Sequence, residues 1–393
     1  MKLPKRWENY YTVGAPYASI MAILISSRLV VLLALIFSST FVQRPAGAIF
    51  TDVTPRWYRY FLRWDAGWYL KIATEGYSYN GDNMVQQPVV FYPFYPLISK
   101  SLASVLNISE AAALLIVSNV ALSLAVPLLF RFIRQGHGDR VAFFAMACLC
   151  FFPSSLFFSA GYTESLALLF IAGFFLLLGK KHYLLASAVA GLAAGTRFTG
   201  LVLLLPLSIE LWRNFSGDPK RLARLAVPCW ILTTSGLWVY MLYLWIAFNS
   251  PLAFAFATRA WRTGDAVEGG VFAALMLRPF YHLGEVFTSG PSPYTLSSWF
   301  FVFFVALLIA FRKRLSFPLW IYGMATLLLP YFTVSSEVGF RSLTRYSLMA
   351  FPVFIVLGEL FKKSMWLGLS VLGLFSAMLF MYSAFYFQFY WAG

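Results

Sequence analysis

Long apolar runs recur along the whole chain, and they limit its fold more than any other feature. Stretches near 18–42, 111–130, 141–160, 164–179, 183–195, 198–212, 225–247, 296–311, 317–332, 346–360 and 365–390 carry almost no charge. A helix needs about 20 apolar residues to cross a hydrocarbon layer roughly 30 Å thick. Backbone in lipid must satisfy its own hydrogen bonds, so such runs become helices. The expected fold is therefore all-α: a polytopic membrane protein with about 11 transmembrane helices. Composition agrees, since 60% hydrophobic residues, 11% charged residues, 41 Phe and 13 Trp exceed what water-soluble cores bury. Lys2, Lys5 and Arg6 precede the first run, and Ala46-Gly47-Ala48 resembles a cleavage site. That run is nevertheless far longer than the roughly 7–15 apolar residues of a signal peptide, which makes it a retained span.

The formal charge of +15 is spread in small groups between the runs and forms no continuous basic face, so no nucleic-acid partner is expected. With the N-terminus in the cytoplasm, one side holds Lys2, Lys5, Arg6, Arg131, Arg134, Arg140, Lys180, Lys181, Arg213, Lys220, Arg221, Arg224, Arg312, Lys313, Arg314, Lys362 and Lys363, more than half of the 30 basic residues. This is the positive-inside bias. It also requires region 183–212 to be two short helices turning at Gly195-Thr196-Arg197, which leaves Arg197 at the outer face. Cys148, Cys150 and Cys229 lie in apolar runs without a CxxC pair and read as small core residues. His137, His182 and His282 fall in different connections, so no metal site is expected. The glycines lack phosphate-loop spacing.

Only two outer connections are long, 43–110 and 249–295. The first contains RWDAGWYLKIATEGY, residues 63 to 77, where Phe61, Trp64, Trp68 and Ile72 recur at helical spacing and Gly76 is a natural stop. One reading is an amphipathic juxtamembrane helix with its aromatics at headgroup depth. The other makes Asp65, one turn from Tyr69 on the same face, a general base whose burial beside tryptophans suits it to take a proton from an alcohol.

Further along, PVVFYPFYPL (88 to 97, with Tyr92) is a proline-stiffened interfacial segment. Glu164 follows Thr163 at a helix start, either as an ordinary N-terminal acid behind an N-cap or as a group facing the same cavity as Asp65. Arg197, Arg341 and Arg345 sit at outer helix ends, where they snorkel or clamp a phosphate. Arg28 lies within a span, the usual mark of function.

Taken in order, RWDAGWYLKIATEGY, VVFYPFYPL, FFSAGYTESL and AAGTRFTGL resemble the PIG-V family of mannosyltransferases and its prokaryotic relatives, over residues 20 to about 212 with an echo at LTRYSLMAFPVF. The family is of the GT-C class of polytopic glycosyltransferases. The resemblance implies a GT-C-like fold with a catalytic N-terminal module at 1–224, and the C-terminal module at 225–393, where the resemblance thins, is expected to set acceptor or lipid specificity. It implies transfer of a sugar, mannose, from a polyprenyl-phosphate donor to a lipid, glycan or protein acceptor on the non-cytoplasmic side, with inversion. Asp65 matches the family's acid in the first outer loop. Arg197, Arg345 and Arg341 would bind the donor phosphate, and Trp64, Trp68, Tyr69, Glu164 and Tyr92 the substrates. No cofactor is required, although a divalent metal is compatible with the class. The expected location is the plasma membrane, or the endoplasmic reticulum in a eukaryote. Two departures stand out: Gly67 and Trp68 occupy positions where eukaryotic members carry a histidine and an aromatic, and Thr163 replaces a serine. A lipid-linked-sugar transporter is the competing class, but it calls for paired halves and a midplane site, and no internal repeat is evident. A non-catalytic subunit of a glycosyltransferase complex is another alternative.

Overall fold

The computed structural model describes residues 15–43, 57–261, 293–333 and 342–390, and these contain helices and turns but no strand. In chain order the helices are α1 (Ala15–Phe41), α2 (Asp65–Glu75), α3 (Phe94–Leu106), α4 (Glu110–His137), α5 (Asp139–Phe151), α6 (Glu164–Gly179), α7 (Tyr183–Thr196) and α8 (Leu204–Phe215). They continue with α9 (Pro219–Phe248), α10 (Ala253–Ala257), α11 (Pro293–Ala310), α12 (Phe317–Thr333), α13 (Leu343–Tyr346), α14 (Pro352–Phe361) and α15 (Met365–Phe387).

Among the described residues four helices, α1, α4, α9 and α15, are long and apolar enough to cross a membrane. The pair α13–α14 makes a fifth if its 82° bend lies within one span, and α6, α7, α11 and α12 are shorter apolar helices. All eleven expected runs are helical, but three are not continuous α-helix. The run at 141–160 breaks at Phe152 and continues as a 3₁₀ turn, Pro153–Phe158. The run at 198–212 begins as the 3₁₀ turn Phe198–Leu203. The run at 346–360 breaks at Ala350, before Pro352 at the start of α14. At the first break Pro153 donates no N–H and holds Phe152 extended (φ −55°, ψ 141°), whereas at the third Phe351 before Pro352 is helical and the chain turns at Ala350 (φ −79°, ψ 50°).

The first long connection is more ordered than a plain loop. It holds α2 and also α3, a helix that reading Pro88 to Leu97 as a proline-stiffened interfacial segment had missed. Of the second long connection, 249–295, residues 249–261 and 293–295 are described.

Packing follows small residues. At the α7–α9 contact, a Cβ on Gly236 would collide with the backbone of Gly191 and Gly195, so glycine permits the close approach that membrane helices use in place of hydrophobic burial. Cys148, Cys150 and Cys229 are buried thiols, as expected. Arg28 acts structurally: its guanidinium donates to the carbonyls of Ser155 (2.7 Å) and Cys150 (2.9 Å) and to the hydroxyls of Ser155 (2.9 Å) and Ser159 (3.3 Å). It thereby satisfies carbonyls exposed where α5 breaks.

Candidate active site

Where α2 and α6 begin, α7 ends and α13 passes, four charged side chains meet in alternating sign. Arg345 donates through Nη1 to Asp65 Oδ2 at 2.8 Å and places Nε 3.4 Å from Glu164 Oε1. Arg197 donates through Nη1 to the same Glu164 oxygen and to Thr163 Oγ1, the latter at 3.0 Å. The series runs Asp65, Arg345, Glu164, Arg197, and its formal charge cancels, as grouping charge at a partly dry site requires. Exposure is lowest in the middle of the series and higher at its ends, with the side chain of Glu164 at 1%, Arg345 at 6%, Arg197 at 13% and Asp65 at 23%. Asp65 is the end of the series open to an incoming molecule. Glu164 Oε2 has no hydrogen-bond partner among the described residues.

Each member is fixed by local structure. Arg197 follows α7 in extended conformation (φ −153°, ψ 146°), so the expected turn at Gly195-Thr196-Arg197 is present. Thr163 occupies the N-cap position of α6, but its hydroxyl makes no cap hydrogen bond. It accepts from Arg197 instead, which corrects the expectation of a simple cap. Arg345 is held by its neighbours: Ser154 Oγ donates to the Thr344 carbonyl at 2.9 Å, and the Tyr322 hydroxyl donates to the Met349 carbonyl at 2.8 Å. The rings of Tyr346, Tyr162 and Phe157 lie 5.1, 5.2 and 5.4 Å from its guanidinium carbon.

Asp65 is placed by a tight turn. Ala66 N–H donates to the Arg63 carbonyl at 3.2 Å, and Trp64 between them has φ 55° and ψ −124°. That is the first central position of a type II′ turn, which favours glycine, so a tryptophan there stores backbone strain one residue before the acid. Hydrogen bonds from distant elements hold the turn. Gly161 N–H donates to the Phe61 carbonyl at 3.0 Å, Tyr162 hydroxyl to the Arg63 carbonyl at 3.0 Å, and Arg63 N–H to the Tyr386 hydroxyl at 3.2 Å.

The expected aromatic residues separate into two groups. Trp64 keeps 41% of its surface exposed beside Asp65, with its edge on Phe389. Trp68 is stacked on Phe91 (5.9 Å, 14°), and Tyr69 packs edge-on against Phe91 and Tyr95, so these rings brace α2 against the proline-rich segment. Burial, reinforced by Glu164 and Asp65 and opposed by Arg197 and Thr163, pushes the Tyr69 hydroxyl well above the ordinary tyrosine range. Tyr92 is buried in a separate cluster against Tyr240 and Phe254. Asp65 itself faces Arg345, not the tryptophan-lined surroundings anticipated for it. Arg341 lies outside the described residues. Sequence reading passed over Tyr162, Tyr346 and Tyr386. Tyr162 stands inside FFSAGYTESL and could have been flagged, whereas nothing local to Tyr386 in the sequence points toward Asp65. Among the described residues no group of three or more His, Cys, Asp and Glu side chains converges as a metal site would require.

Residues 19–216, just over half the chain, match the family model described as Mannosyltransferase (PIG-V). The chain belongs to this family. The matched segment contains Asp65, Thr163, Glu164 and Arg197, while Arg345 lies beyond it. A GPI mannosyltransferase 2 of Drosophila pseudoobscura pseudoobscura is 29% identical over 113 residues, covering 26% of this chain and 24% of that protein. Among solved structures, ArnT from Cupriavidus metallidurans bound to undecaprenyl phosphate is similar over 85% of this chain and 59% of its own, with 16% identity and a TM-score of 0.49. The Archaeoglobus fulgidus oligosaccharyltransferase in its apo form is similar over 93% and 56%, with 15% identity and a TM-score of 0.46. The chain therefore spans less than two thirds of the length of each of these relatives.

Proposed function

We propose that this membrane protein is an inverting glycosyltransferase that moves a sugar, mannose in keeping with its family, from a polyprenyl-phosphate donor to a hydroxyl acceptor on the non-cytoplasmic face. The observation that carries this reading is the alternating series Asp65, Arg345, Glu164, Arg197, which offers two guanidiniums to a phosphate and an acid at its open end.

In the resting site Arg345 is shared between Asp65 and the buried Glu164. An incoming lipid phosphate competes with the more exposed carboxylate, that of Asp65, and planar guanidiniums match its oxygens well. Phosphate on Arg345 releases Asp65 to accept the proton of the acceptor hydroxyl. The acceptor oxygen then bonds to the anomeric carbon while the bond from that carbon to the phosphate oxygen breaks. The electron pair leaves with the lipid phosphate, and Arg345 and Arg197 stabilise its growing charge in a preorganised site. Glu164 keeps both guanidiniums aimed, and its second oxygen is an acceptor left for a sugar hydroxyl. Trp64 offers a ring face beside Asp65. With arginines supplying the positive charge, the transfer requires no divalent metal. The N-terminus is cytoplasmic, and the C-terminal part from residue 225 contributes Arg345 and selects the acceptor.

The test is transfer of radiolabelled mannose from polyprenyl-phosphate-mannose into lipid and protein fractions by membranes containing the protein. Label is expected with the wild type, in EDTA as well, and is expected to vanish with Asp65→Asn at unchanged protein level. Full transfer by Asp65→Asn would refute Asp65 as the base, and dependence on an added divalent ion would refute the arginine-only mechanism.

A further inference from the structure

The transfer reading gives α9 no residue of its own, and the N-terminal end of this helix is left without a role. α9 has 30 residues, about 45 Å at the helical rise of 1.5 Å per residue. Tyr240, near its C-terminal end, packs on Tyr92 in the outer connection, so Pro219 lies at the opposite membrane face. There α8, the first turns of α9 and the start of α12 enclose a groove of about 910 Å³. Leu211 and Ala226, 1% and 4% exposed, form its floor. Trp212 and Trp230 stand in its walls, and the Trp230 indole N–H donates to Ser208 Oγ at 3.0 Å.

The charge around this apolar slot is predominantly positive. Arg213 lines it, Lys220 and Arg224 flank it on α9, and Arg312, Lys313 and Arg314 lead directly into Ser316 and Phe317 on the far wall. The two nearby carboxylates are already engaged: Glu210 accepts from Arg213 at 3.1 Å, and Asp218 accepts the backbone N–H of Arg221 at 3.0 Å as the N-cap of α9. An apolar slot walled by tryptophans and rimmed by surplus cations at a membrane face complements an acyl chain joined to an anionic headgroup. A neutral lipid would leave the cations unused.

We propose that this groove binds an anionic phospholipid, with an acyl chain between Trp212 and Trp230 and the phosphate on Arg213, Lys220 and Arg224. The site is separate from the Asp65 cluster and does not depend on the transfer reading. The test places the full chain in nanodiscs containing brominated phosphatidylglycerol or brominated phosphatidylcholine. The fluorescence due to Trp212 and Trp230 is isolated by subtracting the Trp212→Phe/Trp230→Phe variant. Brominated phosphatidylglycerol should quench that fraction at a mole fraction about tenfold lower than brominated phosphatidylcholine. Lys220→Gln/Arg224→Gln should abolish the preference at an unchanged thermal midpoint, since both side chains are exposed. Equal quenching by the two lipids, quenching by neither, or a preference that survives the double glutamine variant would overturn the proposal.

Discussion

The four charged residues of the outer site are unequal in what their removal does. Glu164 is buried and faces two guanidiniums, so Glu164→Gln leaves two cations without their shared counter-charge and should cost about 3 kcal/mol of stability. Asp65 is the exposed end of the series and its partner Arg345 retains Glu164, so Asp65→Asn should change stability by no more than about 1 kcal/mol. Thermal unfolding of the two variants in one detergent checks the contrast, and similar losses would mean that the burial gradient does not govern the site. Trp64 gives a second contrast. Trp64→Gly and Trp64→Ala lose the same ring contacts, but only alanine keeps the unfavourable positive φ, so the glycine variant should be the more stable by about 1 kcal/mol. Glycine normally weakens a chain relative to alanine, and that order at this position would show the turn to be unstrained. Asp65, Glu164, Arg197 and Arg345 were all noticeable in the sequence, because charge is rare in this chain: the last three lie at the ends of apolar runs, and Asp65 stands among aromatics in the first long connection. Their pairing was not. Asp65 and Arg345 are 280 residues apart, and no local pattern encodes which acid meets which guanidinium. The strain at Trp64 was equally hidden, since the turn is imposed by Gly161, Tyr162 and Tyr386 from elsewhere in the fold.

At the scale of elements, sequence reading located the helices well because lipid leaves the backbone few choices. It missed the interruptions and α3, whose causes are prolines and tertiary contacts, and hydropathy does not register either. The α7–α9 contact shows how an element positions chemistry. α7 ends at Thr196, and Arg197 projects from its C-terminus, so the spacing between these helices sets where the guanidinium stands. Gly236→Ala would drive a methyl group into the backbone of Gly191 and Gly195. It should cost about 1–3 kcal/mol and depress mannose transfer, although Gly236 touches none of the charged residues. Wild-type stability together with wild-type transfer would show that the interface can give way without moving Arg197.

For the whole molecule, the charge bias predicts two faces. It places Asp82, exposed in the first long connection, and Lys220, exposed at the start of α9, on opposite sides. Asp82→Cys should react with a membrane-impermeant thiol reagent added outside intact cells, and Lys220→Cys only after the membrane is opened. Labelling of both from one side would overturn the topology. The native cysteines are buried and should contribute little background.

The pairing of Asp65 with Arg345 also bears on how the protein is made. While the first two thirds of the chain are being inserted, Asp65 is already at the membrane surface, but the arginine that holds it has not been synthesised. Tyr386, which grips the turn before Asp65, arrives later still. Chain elongation thus acts as a timer: a nascent or prematurely terminated polypeptide carries the acid without its partner, and the charged cluster is complete only when the last helices have been made.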